Sequence, residues 1–217
     1  QTKPQSKAQL IQKIWNKKSH YYEVADHSLE TFQKQYTYGL FTRLKLEPKS
    51  VLDFGCGNGS TIACLRESFP SIKSATGFDI SALAIKEAKK KFPKFTFLVG
   101  DAEEISFPEK YDLVCSFYTF EHLDEPERVL SQMAPLVKKN GYLYIICPNY
   151  GSPIYASPVF KGNFIQRVFS GILRDISLLF NQDTTSLQWK AVQPIIDSGK
   201  KHVIDHDTTV EPYIYST

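Results

Sequence analysis

The sequence has few cysteines, little net charge and no long apolar run, and each shortage narrows the possible functions. Its 217 residues include four cysteines that form no CxxC pair, so we expect buried thiols and a reducing, cytoplasmic setting. A formal net charge of +3 is too small to argue for a nucleic-acid partner. We find no signal-peptide pattern and no uncharged apolar run of about 18 residues, which argues against a membrane-spanning helix.

The hydrophobic pattern divides the chain into three parts, within what we expect to be one domain. Residues 1–47 are polar, rich in tyrosine and helical in tendency, and they predict an N-terminal helical cap. From residue 48 to 150, short apolar runs alternate with helical patterns near 60–69, 81–91 and 126–139, which is typical of βαβ units. The apolar runs are Val51–Phe54, Ala75–Phe78, Phe95–Val99, Leu113–Phe117 and Tyr142–Cys147. This pattern predicts an α/β fold with a doubly wound, mostly parallel sheet. The alternation stops after residue 150, and we expect residues 151–217 to form a substrate-side insertion and the C-terminal part.

The third helical pattern carries signals at both of its ends. Asp124 is suited to cap its N-terminus, with Glu127 three residues later and Pro126 in the first turn. A basic stretch with Asn140 and Gly141 at its end is typical of a helix C-terminus. The sequence therefore predicts a helix over 126–139 and a buried strand directly after it.

A glycine-rich loop follows the first predicted strand, in the stretch “VLDFGCGNGS”. Ligands bind at this place in a doubly wound sheet, and glycines let them approach the backbone. A plain turn is the simple alternative, which three alternating glycines argue against. The dinucleotide fingerprint G-x-G-x-x-G requires its third glycine where Ser60 stands. Asp53 would also repel a pyrophosphate and attract an ammonium or sulfonium group, so the loop favours a cationic ligand that carries a nucleoside.

Acidic residues also end the second and third predicted strands. Asp79, in “GFDIS”, could accept hydrogen bonds from both ribose hydroxyls, and Ile80 could form an apolar wall for a purine. Asp101, in “VGDAEEI”, could accept a hydrogen bond from an adenine amine. A single acidic residue is more often a helix cap or a solvated group. Three at the ends of adjacent strands predict a nucleoside site.

These stretches resemble the motifs of the class I S-adenosylmethionine-dependent methyltransferases, in order and spacing, over about residues 48–150. “YDLVCSFYTFEHL” and “GYLYIICPN” resemble the fourth-strand and fifth-strand motifs of the same family. Within this family, the chain is similar to the broad subgroup that contains the quinone-biosynthesis and other small-molecule methyltransferases. The resemblance implies a Rossmann-like sheet of order 3-2-1-4-5-7-6. We find no convincing strand pair after residue 150 for its last hairpin, which is either missing or irregular.

The resemblance also implies how the cofactor is bound. The expected contacts surround the methionine part, the ribose and the adenine of S-adenosylmethionine, whose product is S-adenosylhomocysteine. For the methionine part these are Asp53, Gly55, Cys56, Gly57 and the backbone of Phe117; for the ribose Asp79; for the adenine Ile80, Asp101 and the backbone of Ala102.

Candidate catalytic and substrate residues follow the fourth and fifth strands. His122 is the best candidate for a general base, because histidine titrates near neutral pH; a structural role in the turn is the alternative. Glu121 is a second, weaker candidate, and packing is the simpler explanation for it. The substrate pocket is expected to contain aromatic and polar side chains from both ends of the core. These are Tyr118, Asn149 and Tyr150, with Tyr21, Tyr22 and Tyr36 from the N-terminal part.

Two further segments are open to more than one interpretation. The pattern of residues 163–180 predicts an amphipathic helix that we expect to pack on this domain or on a second subunit, so that monomer and homodimer both remain open. Contact with a lipid is the weaker alternative. His202, Asp205, His206 and Asp207 cluster near the C-terminus, but their spacing fits no metal-site motif and we expect no metal there.

The function predicted from the sequence is transfer of a methyl group from S-adenosylmethionine to a small-molecule acceptor by in-line displacement. A non-catalytic module that binds the same cofactor is one alternative. An NAD(P)-dependent oxidoreductase is a second, which the early third glycine disfavours.

Overall fold

The architecture is taken from a computed structural model. It describes residues 12, 13, 15, 16, 22, 28–102, 107, 109–123, 126–147, 163–166, 168, 169, 172, 173, 189–191 and 214–216. The chain divides into two compact units. The first contains Gln1–Thr119 and Glu125–Ile146, and the second contains Phe120–Asp124 and Cys147–Thr217.

The first unit contains a five-stranded parallel sheet. The strands are β1 (Ser50–Phe54), β2 (Ser74–Asp79), β3 (Thr96–Val99), β4 (Tyr111–Phe117) and β5 (Val137–Ile146). Their spatial order is β3-β2-β1-β4-β5, and each neighbouring pair is parallel. This confirms the predicted α/β class and the 3-2-1-4-5 part of the expected order. The order reverses at β1, so the topological switch point lies between β1 and β4.

Helices connect these strands as the hydrophobic pattern predicts. The segment between β1 and β2 forms α3 (Ser60–Ser68), and the segment between β2 and β3 forms α4 (Ala82–Lys91). Ser81 caps α4, since its hydroxyl accepts a hydrogen bond from the amide of Ala84 at 3.2 Å. All five residues of β1 are buried, as expected for a central strand covered on both faces.

The third predicted helix is shorter than its sequence pattern indicated. Helix α5 covers Pro126–Met133, a 3₁₀ turn follows over Ala134–Leu136, and β5 begins at Val137. The prediction of helix up to residue 139 was therefore wrong. Val137 pairs with Tyr111, but the next registered pair is Leu113 with Tyr142. The basic stretch that resembles a helix end is thus extra length in β5, with Asn140 at a φ of 63°. The predicted cap Asp124 lies outside the described residues.

The N-terminal part is helical over α1 (Leu29–Gln33) and α2 (Tyr36–Arg43). Phe32 of α1 and Phe41 of α2 are each 1 % exposed and belong to the same hydrophobic cluster as Val51 of β1 and Ile62 of α3. These two helices are therefore part of the core that supports the sheet.

The second unit contains a 3₁₀ turn over Phe120–His122 and two short strands, β6 (Trp189–Ala191) and β7 (Ile214–Ser216). These strands pair antiparallel in a sheet of their own. A strand pair after residue 150 is thus present, which the sequence pattern did not show, but it does not extend the described five-stranded sheet.

The amphipathic segment starts at a defined position within the second unit. Asn163 and Gln166 form reciprocal hydrogen bonds, each side-chain oxygen accepting from the other residue's amide at 2.9 Å, and this stabilises a helix start. Phe164 and Ile165 are 65 % and 76 % exposed. None of the described residues belongs to a helix long and apolar enough to cross a bilayer.

Candidate active site

The candidate site lies at the carboxyl ends of the parallel strands in the first unit. Asp53 is the fourth residue of β1, Asp79 is the last residue of β2, and Asp101 follows β3 by two residues. The amide of Gly100 donates to the carbonyl of Asp79 at 3.1 Å, which ties the ends of β2 and β3 together. The structure therefore brings the three predicted acidic residues to one edge of the sheet.

Glycines shape the loop between β1 and α3. Gly57 has a φ of +53°, and no atom of the described residues lies within 4 Å of the place where a Cβ would stand. Gly59 has a φ of +81°, but its Cβ would lie 2.8 Å from Cζ of the buried Phe97. Both residues need the left-handed conformation that glycine favours. Gly59 is thus needed for close packing, whereas Gly57 leaves open space for a ligand.

Five backbone amides of this loop donate to acceptors within the protein. The carbonyl of Phe78 accepts two of them, and the carboxylate of Asp79 accepts a third. These hydrogen bonds are Gly55 N to Phe78 O (2.7 Å), Cys56 N to Phe78 O (3.0 Å), Gly57 N to Asp79 Oδ2 (2.9 Å), Gly59 N to Cys56 O (2.9 Å) and Ser60 N to Asn58 Oδ1 (3.1 Å). A phosphate bound at a helix N-terminus needs amides that are free to donate. The loop is consequently a poor site for a pyrophosphate.

Asp53 is a buried carboxylate with an unusual environment. It is 1 % exposed, and the thiol of Cys115 donates a weak hydrogen bond to its Oδ1 at 3.9 Å. Burial and the negative charge of Asp79 raise the pKa of Asp53 well above its ordinary value, and the Cys115 hydrogen bond opposes that rise. The pKa of the buried Cys56 thiol is also well raised, by burial and then by Asp79 and Asp53.

Asp79 connects the glycine loop to the start of α4. Its Oδ2 accepts from the amide of Gly57, and its Oδ1 accepts from the amide of Ser81 at 2.8 Å. Burial raises the pKa of Asp79, and these two hydrogen bonds oppose that effect. Among the described residues, neither Asp53 nor Asp79 forms an ion pair with a lysine, arginine or histidine. One buried and one half-buried carboxylate, without a counter-cation in the described part of the chain, favour a ligand that brings positive charge.

The remaining predicted cofactor residues lie around the same edge. Ile80, Asp101 and Ala102 are half-buried, as is Phe117 at the end of β4. The carbonyl of Phe117 accepts from the hydroxyl of Thr119 at 3.2 Å, and the same hydroxyl lies 3.5 Å from the carbonyl of Gly55.

The predicted substrate residues are only partly described. Tyr118 is 43 % exposed with a φ of 53°, a conformation that is rare for a bulky side chain and costs energy. Its amide donates to the carbonyl of Ile146 at 2.8 Å, which holds it at the carboxyl end of β4. Tyr36, in the first turn of α2, is 70 % exposed. Tyr22 is buried. Tyr21, Asn149 and Tyr150 lie outside the described residues.

The two candidate catalytic residues belong to the second unit. Glu121 and His122 are the last two residues of its 3₁₀ turn, and His122 is buried. The cluster at His202, Asp205, His206 and Asp207 lies outside the described residues. Of the cysteines, Cys56, Cys64 and Cys115 are buried as predicted, whereas Cys147 is exposed.

Sequence reasoning missed several residues that organise the site. Asn58 accepts from both the amide and the hydroxyl of Ser60, and its Nδ2 donates to the carbonyl of Tyr22 at 2.6 Å. Gln12 and Asn16 reach the segment after β2 from the N-terminal part. The position of Asn58 within the glycine stretch was a usable signal. Nothing in the sequence indicates the contacts of Gln12 and Asn16.

Comparison with known proteins agrees with the geometry. Residues 52–145 match the family model described as “Methyltransferase domain”. The chain is 29 % identical over 137 residues to the malonyl-[acyl-carrier protein] O-methyltransferase of Anoxybacillus flavithermus, covering 62 % of this chain and 51 % of the relative. It is 31 % identical over 127 residues to the mitochondrial ubiquinone biosynthesis O-methyltransferase of Candida albicans, covering 55 % of this chain and 38 % of the relative. The chain thus spans about half or less of these relatives' length.

Solved structures show the same fold. An S-adenosylmethionine-dependent methyltransferase from Clostridium acetobutylicum has a TM-score of 0.51 at 20 % identity, covering 63 % of this chain and 58 % of that one. The plantazolicin methyltransferase BpumL, solved with S-adenosylhomocysteine, has a TM-score of 0.50 at 21 % identity, covering 85 % of this chain and 73 % of that one.

Proposed function

We propose that this chain is a class I S-adenosylmethionine-dependent methyltransferase, which the match of residues 52–145 to a methyltransferase domain supports, and that it transfers a methyl group to a small-molecule acceptor. The observation that carries the proposal is a glycine loop in which five amides already have acceptors, beside the buried Asp53 and the half-buried Asp79, neither of which pairs with a cation among the described residues. That arrangement suits an ammonium and a sulfonium and disfavours a diphosphate, so it argues against an NAD(P)-dependent oxidoreductase.

The residues present fit S-adenosylmethionine. Asp79 has two oxygens, each accepting one hydrogen bond from the backbone, and a carboxylate oxygen can accept a second from a ribose hydroxyl. We assign the adenine to Ile80, Asp101 and Ala102. The positively charged methionine part belongs beside Asp53, where Gly57 leaves the backbone accessible. Gly55, Cys56 and the backbone of Phe117 complete this part of the site.

The cofactor, when bound, supplies an already activated methyl group, so the main tasks of the protein are positioning and exclusion of water. Asp79 would hold the ribose through its two carboxylate oxygens. Asp53 would balance the ammonium and sulfonium charges of the bound cofactor, of which S-adenosylhomocysteine keeps only the ammonium. We keep His122 as the candidate that takes a proton from a hydroxyl acceptor, with Glu121 as a secondary candidate.

We propose that the acceptor binds beside Tyr118, which the strained backbone presents at the carboxyl end of β4. Tyr21, Tyr22, Tyr36, Asn149 and Tyr150 remain candidates for the same pocket. The relatives above are named O-methyltransferases, which favours oxygen as the accepting atom.

We also propose that residues 1–217 act as one methyltransferase domain, as a monomer or homodimer in a reducing cytoplasmic setting, with residues 151–217 on the substrate side.

The test is methyl transfer from labelled S-adenosylmethionine to a panel of small hydroxylated and carboxylated acceptors and to the fractions of a cell extract. We expect transfer by the wild-type chain. Asp79→Ala should weaken cofactor affinity by about 1–3 kcal/mol, because charge-assisted hydrogen bonds are lost. Cofactor binding without transfer to any acceptor in a cell extract would instead support the non-catalytic module.

A further inference from the structure

The N-terminal part contacts the segment that follows β2 through two side chains. Gln12, Lys13 and Trp15 are helical, and the amide of Asn16 donates to the carbonyl of Gln12 at 2.9 Å, which closes an N-terminal turn. The Nε2 of Gln12 donates to the carbonyl of Ile80 at 3.1 Å. The Oδ1 of Asn16 accepts from the hydroxyl of Ser81 at 3.1 Å and from the amide of Leu83 at 3.2 Å. Side chains four residues apart lie on one face of a helix, so one face makes all three contacts.

These contacts complete the N-terminus of α4. A helix begins with amides that have no partner within the helix. Here the amide of Ala84 is satisfied by the N-cap residue Ser81, which directly precedes the helix, whereas that of Leu83 is satisfied by Asn16, from 67 residues away in the sequence. Asn16 therefore acts as a second cap of α4, supplied by a distant part of the chain.

The same contacts lead directly to Asp79. Ser81, which is fully buried, donates its amide to Asp79 Oδ1 and its hydroxyl to Asn16. The other oxygen of Asp79 accepts from Gly57 in the glycine loop. Gln12 holds the carbonyl of Ile80, the residue between Asp79 and Ser81. The orientation of the carboxylate thus depends on a segment that is fixed from the N-terminal side.

We infer that Asn16, supported by Gln12, is a positioning residue for the adenosine half of the cofactor, acting through Ser81 on the carboxylate of Asp79. This inference rests on the proposed function, because it assigns Asp79 to the ribose. It makes the N-terminal turn a part of the cofactor site. Loss of the Asn16 acceptor leaves the Leu83 amide and the Ser81 hydroxyl without that partner and loosens the segment that carries Asp79.

The experiment measures by calorimetry how tightly wild type and three variants bind S-adenosylhomocysteine and adenosine. Asn16→Leu removes the acceptor at similar volume, and Asn16→Asp keeps an acceptor. Lys13→Ala is the control, at an exposed position of the same turn. We expect Asn16→Leu to weaken both ligands by about five- to tenfold, the effect of one or two hydrogen bonds. Asn16→Asp should lie within about twofold of wild type, and Lys13→Ala should match it.

A double-mutant cycle with Asp79→Ala separates positioning from general stability. If Asn16 acts through Asp79, Asn16→Leu should cost less than about twofold in the Asp79→Ala background, because the carboxylate it orients is gone. If Asn16→Leu weakens binding by the same factor with and without Asp79→Ala, the inference is overturned. It is also overturned if the Asn16→Leu chain binds like wild type. Should Asn16→Leu fail to fold, Gln12→Leu in the same cycle gives the same decision. A wild-type chain that binds neither ligand would overturn the proposed function and this inference together.

Discussion

Gly57→Ala should separate ligand binding from folding, because the two needs for glycine in this loop fall on different residues. At Gly57 the added methyl group would meet no described atom within 4 Å, so the only structural cost is the left-handed backbone at a φ of +53°. That conformation costs a residue with a Cβ about 1–2 kcal/mol. For a chain of this size, the expected fall in melting temperature is about 2–8 °C.

Ligand binding should be weakened separately, by the position of the added methyl group. The methyl group would occupy the open side of the loop, where we place the methionine part of the cofactor. We expect the affinity for S-adenosylhomocysteine to fall at least about tenfold, equivalent to about 1.4 kcal/mol. Calorimetry of the folded variant measures this loss, and thermal unfolding without ligand measures the first one.

Gly59→Ala is the matched control, two residues along the same loop. Its methyl group would stand 2.8 Å from Phe97 Cζ and 3.2 Å from Phe92 Cδ2. Overpacking of about 1–3 kcal/mol is thus added to the backbone cost. We expect the larger loss of stability here and the smaller loss of affinity in the folded fraction. A Gly57→Ala chain that binds S-adenosylhomocysteine like wild type would refute the placement of the ligand.

Two further predictions concern charge. Burial and Asp79 raise the pKa of Asp53, so above the ordinary pKa of aspartate the folded chain without ligand holds more protons than the unfolded chain, and its stability should fall as the pH rises towards the raised pKa. Asp53→Asn should flatten this fall in unfolding scans from about pH 5 to about pH 8. The same variant should weaken binding of S-adenosylmethionine more than binding of S-adenosylhomocysteine, which lacks the sulfonium charge. The contrary result is a steeper fall in the variant, or equal weakening of the two ligands. At the opposite end of the sheet, Asp112 accepts hydrogen bonds from the amides of Lys49 and Ser50 and lies 3.2 Å from the amine of Lys138. Asp112→Ala should lower the free energy of unfolding by about 1–3 kcal/mol, measured with denaturant, and should leave the affinity for S-adenosylhomocysteine unchanged. A loss of affinity equal to that of Gly57→Ala would contradict this prediction.

The sheet could be predicted because local patterns determine it. Apolar runs bounded by polar residues place the five strands, and helical patterns between them require parallel crossovers. The acidic residues at the strand ends then meet at one edge because parallel strands share their direction. This reasoning needs no contact between distant parts of the chain.

The end of α5 could not be predicted in the same way. Lys138, Lys139, Asn140 and Gly141 carry the signals of a helix C-terminus, yet they lie in β5. Asn140 has a left-handed backbone here, and asparagine at the end of a helix often has the same conformation. Its residue type therefore cannot distinguish a helix cap from extra length in a strand. This stretch lies in a strand because Val137 pairs with Tyr111 and Tyr142 pairs with Leu113. Such pairing is a tertiary contact between separate parts of the chain.

The contacts of Gln12 and Asn16 were beyond sequence reasoning for a related reason. Both residues are common on exposed helix faces, and their acceptor and donor partners lie 65 to 68 positions away. Backbone partners leave no mark in the sequence, since every residue has an amide and a carbonyl. Only the folded arrangement shows that this turn supports the segment after Asp79.

The central claim is that this site takes a positively charged amino-acid nucleoside and not a dinucleotide diphosphate. Parallel calorimetric titrations of the wild-type chain with S-adenosylmethionine, S-adenosylhomocysteine and NAD⁺ test it most directly. We expect saturable binding of the first two and none of the third at the same concentrations. Binding of NAD⁺ in competition with S-adenosylhomocysteine, or of NAD⁺ alone, would contradict the account.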